Sequence, residues 1–256
     1  MKSIKILIFL YITIVLVSCD KQASDNPSST VITDGAGVGG STARFAIIGN
    51  TLYTVDDKSL NVFDISDTKN PLKTGRSYIG RNIETIFPRD TKTIFIGSQN
   101  GMYVYNISDP NLITEQAVVN HFRSCDPVVA NDKFAFVTLN NEGTLFSRRC
   151  WGSSNMLLTY DISNINNVIP LSTYNLVHPK GLGLIGNNLF VCDNVLRWYD
   201  ATDPKNLISK KNFLISAYDI IPLSNRLILV GDDGISQLGF GSDSVWFLSK
   251  IQTPIK

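Results

Sequence analysis

Apolar residues occur along most of the chain in short runs, separated by Gly, Asn, Asp or Pro. β-branched and aromatic residues are frequent in these runs, and no stretch shows a sustained helical period. This pattern is typical of β-strands joined by tight turns. A representative set is IETIFPRD (83–90), KTIFIGSQ (92–99), GMYVYNIS (101–108) and PNLITEQAVV (110–119).

One motif recurs along the chain: an aromatic residue, then Asp or Asn, then a turn sequence. Its acidic or amide position is Asp64, Asn106, Asp161 and Asp200, at spacings of 42, 55 and 39 residues, and a weaker copy has Gly239 another 39 residues on. A period near 40 with four strands per unit predicts an all-β fold, a single β-propeller of five four-stranded blades. An open solenoid of the same repeats is the alternative.

The repeated acids have a structural explanation. Asp, Asn and Ser side chains accept hydrogen bonds from backbone N–H groups nearby, which fastens a turn. Pro110 and Pro204 suit the corner before an outermost strand, because proline cannot donate to a sheet. We therefore expect the repeated acids to hold turns rather than to act in catalysis. Trp198 and Trp246 fall on strand patterns and are expected in the core.

The repeats resemble those of the LVIVD-repeat family of β-propeller proteins. The matching segments are SLNVFDISD, GMYVYNISDP, MLLTYDIS and LRWYDATDP, and CDPVVA, KGLGLIG and LFVCD resemble stretches of its lipoprotein members. The resemblance covers Arg44 to about Asp243. It implies a propeller that is often carried by a bacterial lipoprotein or surface protein, and it implies no particular reaction or ligand.

The first residues have the pattern of an export signal. A basic start with Lys2 and Lys5 precedes an apolar run from Ile4 to Val17, which is too short for a permanent membrane span. The run ends in Leu-Val-Ser-Cys, which resembles a bacterial lipobox and implies lipidation of Cys19; an ordinary secretory signal is the alternative. Several acyl chains form a durable membrane anchor.

This assignment divides the chain into three parts. Residues 1–18 are predicted to be a lipoprotein signal peptide, and residues 19–43 are predicted to be the lipidated cysteine and a flexible linker. Residues 44–256 form the predicted propeller. We expect a cell-envelope protein, at the outer membrane or cell surface rather than the inner membrane.

The charges of the chain nearly cancel, with a formal net charge of +1. No basic patch stands out, so nucleic-acid binding has little support. No cofactor is implied. The expected partners are the membrane, through the lipid anchor, and a carbohydrate, peptide or protein ligand, and the domain is expected to be monomeric.

Unusual side chains are predicted to share one face of the propeller. If strands A to D of each blade run outward from the axis, the D–A and B–C connections lie on the same face. That face would carry a long insertion at about 140–155 and the starts of the inner strands. The candidate binding residues there are Arg81, Glu84, His121, Asp126, Arg148, Arg149, Trp151, His178, Asp193, Tyr218 and Asp219.

Three uses of this face are possible. A ligand-binding mouth is favoured, because long loops within compact domains are usually functional or disordered. A zinc site from His121, Cys125, His178 and Cys192 is an alternative, although no close-spaced ligand pair supports it. A hydrolase-like enzyme using Cys, His and Asp is the other, and no catalytic signature supports it.

The cysteines are expected to form one disulfide in an oxidising compartment. With Cys19 lipidated, three cysteines remain. The favoured pair is Cys125–Cys150, which would fix the long insertion to an inner strand. Cys150–Cys192 is the alternative.

Overall fold

A computed structural model describes residues 39–80, 82–120, 127–141, 155–241 and 243–253. These residues form five four-stranded sheets and no helix.

Each sheet is one blade, and its strands are numbered in chain order. Blade 1 contains β1 (Phe45–Ile48), β2 (Thr51–Val55), β3 (Ser59–Asp64) and β4 (Leu72–Tyr78). Blade 2 contains β5 (Ile83–Pro88), β6 (Thr93–Ser98), β7 (Gly101–Asn106) and β8 (Thr114–Asn120). Blade 3 contains β9 (Val128–Ala130), β10 (Phe134–Leu139), β11 (Met156–Asp161) and β12 (Ile169–Asn175). Blade 4 contains β13 (Leu182–Ile185), β14 (Asn188–Cys192), β15 (Leu196–Asp200) and β16 (Ile208–Phe213). Blade 5 contains β17 (Asp219–Leu223), β18 (Arg226–Gly231), β19 (Gly234–Phe240) and β20 (Val245–Gln252).

The blades are arranged in a ring, so the protein is a five-bladed β-propeller, and the prediction of this fold is confirmed. Within each sheet the strands follow chain order and pair antiparallel with their neighbours. The third and fourth strands of every blade also share one register shift near the middle of the pair. The sequence repeat of about 40 residues is therefore a repeat of backbone geometry.

The repeated acids fasten turns, as predicted. At the end of the third strand, one side-chain oxygen of Asp64, Asn106, Asp161 or Asp200 accepts the backbone N–H two residues later, at 2.8–2.9 Å. The pKa values of Asp64, Asp161 and Asp200 are below the usual range for aspartate, because each carboxylate is hydrogen-bonded by the residue two positions later. The side chains of Ser66 and Thr202 contribute most to the pKa values of Asp64 and Asp200, and the Ser163 backbone N–H contributes most to that of Asp161. The motif thus closes the turn that leads to the outermost strand.

Apolar packing joins successive blades. Buried clusters connect blades 1 and 2, blades 2 and 3, blades 3 and 4, and blades 4 and 5. For example, Phe190 and Trp198 of blade 4 pack on Phe240 of blade 5 with ring centroids 5.5 and 5.9 Å apart. Each blade therefore buries the face of the blade before it.

The junction between blade 5 and blade 1 differs from the other four. Among the described residues, no buried apolar cluster spans it. Leu60, Met102, Leu157 and Leu196 occupy equivalent positions in blades 1 to 4 and are at most 1 % exposed, whereas Ile235 in blade 5 is 39 % exposed. The face of blade 5 that would meet a following blade is thus only partly covered.

The fifth copy of the motif differs for a steric reason. A Cβ atom on Gly239 would lie 2.1 Å from the Trp246 ring, which crosses this position from the neighbouring strand. Trp198 is in the core, but Trp246 is 48 % exposed, so the expectation that both tryptophans are buried is wrong for Trp246.

The part of the chain that the structure describes contains no helix, and therefore no helix that is long and apolar enough to cross a membrane.

Candidate functional site

The starts of the inner strands and the ends of the second strands lie on one face, which we call the mouth face. It carries the described candidates Glu84, His178, Asp193, Tyr218 and Asp219, at the strand ends where the sequence placed them. The other residues for which the sequence predicts a role lie outside the described residues: Cys19, Arg81, His121, Cys125, Asp126, Arg148, Arg149, Cys150 and Trp151.

Asp219 is buried at the start of β17 and binds the segment that precedes β1. Its carboxylate accepts the Ser41 hydroxyl at 3.0 Å, the Thr42 hydroxyl at 2.6 Å and the Thr42 backbone N–H at 3.1 Å. Ser41 in turn accepts the backbone N–H of Leu182 at 2.8 Å. These bonds connect blades 4 and 5 to the entry of blade 1. The folded domain therefore includes Ser41 and Thr42, which lie within the segment predicted as linker.

Two glycines allow this close packing. A Cβ atom on Gly40 would lie 2.0 Å from one carboxylate oxygen of Asp219, and a Cβ on Gly181 would lie 2.1 Å from the other. Burial raises the pKa of Asp219, although its hydrogen bonds with Thr42, Ile220 and Ser41 oppose the shift. The carboxyl group is thus enclosed and fully engaged by the protein.

Asp193 also has a structural position. It is buried after β14 and accepts the backbone N–H groups of Val177 and His178, and the Arg197 Nε at 2.7 Å. Burial acts to raise the pKa of Asp193, but these hydrogen bonds outweigh it and hold the pKa below the usual value. Asp193 therefore fixes the connection that carries His178.

Cys192 carries a free thiol, and it is buried. Burial raises its pKa well above the usual value for a thiol, and the nearby Asp219 carboxylate raises it further. Because the thiolate is the reactive form, this environment disfavours a nucleophilic role. Cys150, its alternative disulfide partner, and the favoured Cys125–Cys150 pair lie outside the described residues.

Other side chains on this face retain contact with solvent. Glu84 is partly exposed and accepts the amide of the buried Gln99 at 2.9 Å. Lys180 and Tyr218 are also partly exposed, with the Lys180 Nζ 5.1 Å from the centre of the Tyr218 ring. An anion, a cation and an aromatic ring are thus presented on the mouth face.

Hydrogen bonds between blades position these groups. The Arg44 guanidinium donates to the Ile83 carbonyl at 3.0 Å, which joins blades 1 and 2. The Thr138 hydroxyl donates to the Lys180 carbonyl at 2.6 Å, which joins blades 3 and 4. The backbone beneath Glu84 and Lys180 is therefore held by neighbouring blades.

Sequence reasoning missed the residues that build this frame, namely Ser41, Thr42, Gln99, Thr138 and Lys180. Hydroxyl and amide residues are common in loops and strands, and their role here depends on partners in other blades. Within the described ranges, no group of three or more His, Cys, Asp or Glu residues could hold a metal ion. The proposed zinc ligands His121 and Cys125 lie outside those ranges.

Comparison with known proteins identifies the fold but no family. No protein-family model and no curated protein sequence matches the chain. A functionally unknown protein from Desulfotomaculum acetoxidans is similar in structure, with a TM-score of 0.63 and 9% identity over 85% of this chain and 69% of that one. A protein from Lactobacillus plantarum has a TM-score of 0.61 and 15% identity over 80% and 69% of the two chains. The periplasmic gluconolactonase of Pseudomonas aeruginosa has a TM-score of 0.59 and 14% identity over 80% and 68%.

Proposed function

We propose that this propeller is a binding module whose ligand contacts lie on the mouth face. A carbohydrate, peptide or protein is the expected class of ligand. The observation that supports the proposal is that some polar groups of this face are enclosed by the protein while others are exposed to solvent. Asp193, Asp219 and Cys192 are enclosed by the protein, while Glu84, Lys180 and Tyr218 remain partly exposed on backbone that neighbouring blades hold.

This arrangement favours binding over catalysis. A binding surface needs complementary groups held in place, whereas an enzyme needs a reactive group and a base within hydrogen-bonding reach of a substrate. The enclosed thiol of Cys192 and the internally bonded carboxylates of Asp193 and Asp219 do not offer that combination. Pre-positioned exposed groups lose little freedom on binding, which improves affinity.

We further propose that the module belongs to a cell-envelope lipoprotein of the LVIVD-repeat type. The lipobox-like Leu-Val-Ser-Cys ending at Cys19 supports the anchor. The repeated turn at Asp64, Asn106, Asp161 and Asp200 supports the repeat assignment. Metabolic labelling with a fatty-acid analogue tests the anchor, and Cys19→Ser should abolish the label.

The binding proposal is tested by titrating the full chain in detergent with a panel of oligosaccharides and peptides. Lys180→Ala and Glu84→Gln should each weaken the binding of any ligand found, by about tenfold for each 1.4 kcal/mol of lost interaction. Lys69→Ala and Lys133→Ala are the controls for Lys180→Ala. Each removes one positive charge from the opposite face and should leave binding unchanged. Equal affinities of the mouth variants and the wild type would place the ligand elsewhere.

A hydrolase-like enzyme at the mouth face is the second candidate. The fold is shared with a protein named as a periplasmic gluconolactonase. Glu84 is a partly exposed carboxylate beside the ring axis and could activate a water molecule. Titrating the acid released from a gluconolactone tests this candidate: turnover lost in Glu84→Gln would support it, and no turnover above the uncatalysed rate would reject it.

A further inference from the structure

The outermost strand of blade 5 has unusual exposed side chains. β20 is the longest strand described, with eight residues, and among the described residues it pairs only with β19. Its exposed apolar side chains are Trp246 (48 %), Phe247 (63 %), Leu248 (45 %) and Ile251 (64 %). An exposed, long and apolar edge strand readily pairs with another strand.

The other four outermost strands carry residues that discourage such pairing. β4 contains Lys73 and Arg76, β8 contains Glu115, β12 contains Pro170, and β16 contains Lys210 and Lys211. Charges and proline on an edge are the usual means of preventing sheet extension. The one charged residue of β20 is Lys250, which forms an ion pair with Asp233 of the same blade. All five outermost strands share the same register shift, so the difference lies in their side chains.

The strand is complementary to itself in antiparallel register. A twofold axis between Leu248 and Ser249 would place Trp246 opposite Ile251 of a second copy. Trp246 pairs with Gly239 and Ile251 pairs with Ile235 on β19, so both side chains lie on the face of the sheet that points away from blade 4. The register therefore joins apolar side chains on the same face.

The next pair in this register is also favourable. Phe247 would lie opposite Lys250 of the second copy, on the other face of the sheet, where an ammonium group and an aromatic ring attract each other. No pair in the register places two like charges opposite each other. The edge thus offers a second copy of the chain two favourable kinds of pair, Trp246 with Ile251 and Phe247 with Lys250, each of which occurs twice about the axis.

We propose that β20 is a dimerisation strand, which pairs with β20 of a second copy and joins the two blade 5 sheets into one eight-stranded sheet. The partner is a second copy of the chain, because β20 itself contains both members of each favourable pair, Trp246 with Ile251 and Phe247 with Lys250. A stable interface buries about 1,200–2,000 Å² of accessible surface, and two paired strands of this length bury less. The dimer is therefore expected to be reversible and concentration-dependent. The proposal differs from the monomer that the sequence analysis predicts.

The first test is sedimentation of the full chain in detergent over a concentration series. The wild type should pass from monomer to dimer as concentration rises. Leu248→Lys brings two ammonium groups together at the twofold axis and should raise the dissociation constant at least about tenfold. Leu214→Lys is the control, because Leu214 is 97 % exposed and lies outside β20, and it should dimerise as the wild type does.

The second test does not depend on how well the lysine variant folds. Ser249→Cys places two thiols beside the axis, and a short thiol cross-linker should give a covalent dimer on a non-reducing gel. Ser209→Cys on the exposed edge of β16 should give none. A wild type that remains monomeric at every concentration, an open-ended series of larger species, or equal cross-linking of both cysteine variants would each overturn the proposal.

Discussion

Thr42 donates both its hydroxyl and its backbone N–H to one oxygen of the Asp219 carboxylate, at 2.6 and 3.1 Å, although 177 positions separate the two residues. The ring is therefore joined between its first and last blades by polar contacts to a buried carboxylate. The other four junctions depend on apolar side chains.

Replacing Asp219 with Ala should lower the free energy of unfolding by about 2–3 kcal/mol, because three donors on Ser41 and Thr42 lose a buried carboxylate acceptor. Chemical denaturation at neutral pH measures this change. Asp243→Ala is the matched control, since the Asp243 side chain is 88% exposed, and the change there should stay within about 0.5 kcal/mol. Similar losses in the two variants would mean that the contact does not hold the ring.

Gly181→Ala should destabilise the packing around the same carboxylate from the side of blade 4. The added Cβ would lie 2.8 Å from the Asp219 Cα, so the clash involves backbone that cannot swing aside. A loss of about 1–3 kcal/mol is expected for an overpacked site, and thermal melting by circular dichroism measures it. Gly75→Ala adds the same atom at 3.5 Å from Val62, an ordinary contact, and should not lower the melting temperature. Equal melting of the two variants would contradict the steric argument.

Asp200→Asn should reduce the sensitivity of the fold to acid. The pKa of Asp200 is lowered, first by its bond with the Thr202 hydroxyl and then by the Thr202 backbone N–H. A lowered carboxyl pKa contributes stability above about pH 4, the unfolded value, and that contribution is lost as the pH falls through the folded pKa. The Asn variant keeps the acceptor but has no charge to lose, so its free energy of unfolding should fall less below about pH 4.

Asn106 shows that a neutral acceptor suffices for this turn, since it accepts the Ser108 N–H at 2.8 Å as Asp200 accepts the Thr202 N–H at 2.9 Å. At neutral pH we therefore expect Asp200→Asn to cost less than about 1 kcal/mol. Urea unfolding from neutral to acid pH compares the two proteins, and parallel curves for wild type and variant would contradict the prediction.

The fold could be predicted because its determinants are local. Asp64, Asn106, Asp161 and Asp200 bond to backbone two residues away, so the repeat is visible in the sequence itself. The same locality placed Cys192 at the end of a second strand and Asp219 at the start of an inner one.

The chemistry of the mouth face was less predictable because its partners are distant in sequence. The sequence predicts Asp219 as a ligand-binding acid, yet its carboxylate is enclosed by Ser41 and Thr42 from the opposite end of the domain. Trp246 follows a strand pattern that indicates burial. Its exposure depends on the incomplete cover over blade 5, which strand patterns do not encode.

Among the residues that the structure describes, the four strands of each blade are consecutive in the chain, and the first and last sheets exchange no strand. Blades 1 to 4 can therefore form in order as the polypeptide leaves the ribosome, each on the face of its predecessor. Ser41 and Thr42 are synthesised before blade 1, whereas their acceptor Asp219 is synthesised only after blade 4. Closure of the ring is then the last step in folding the five blades, and until it happens the nascent propeller is an open arc with an uncovered end.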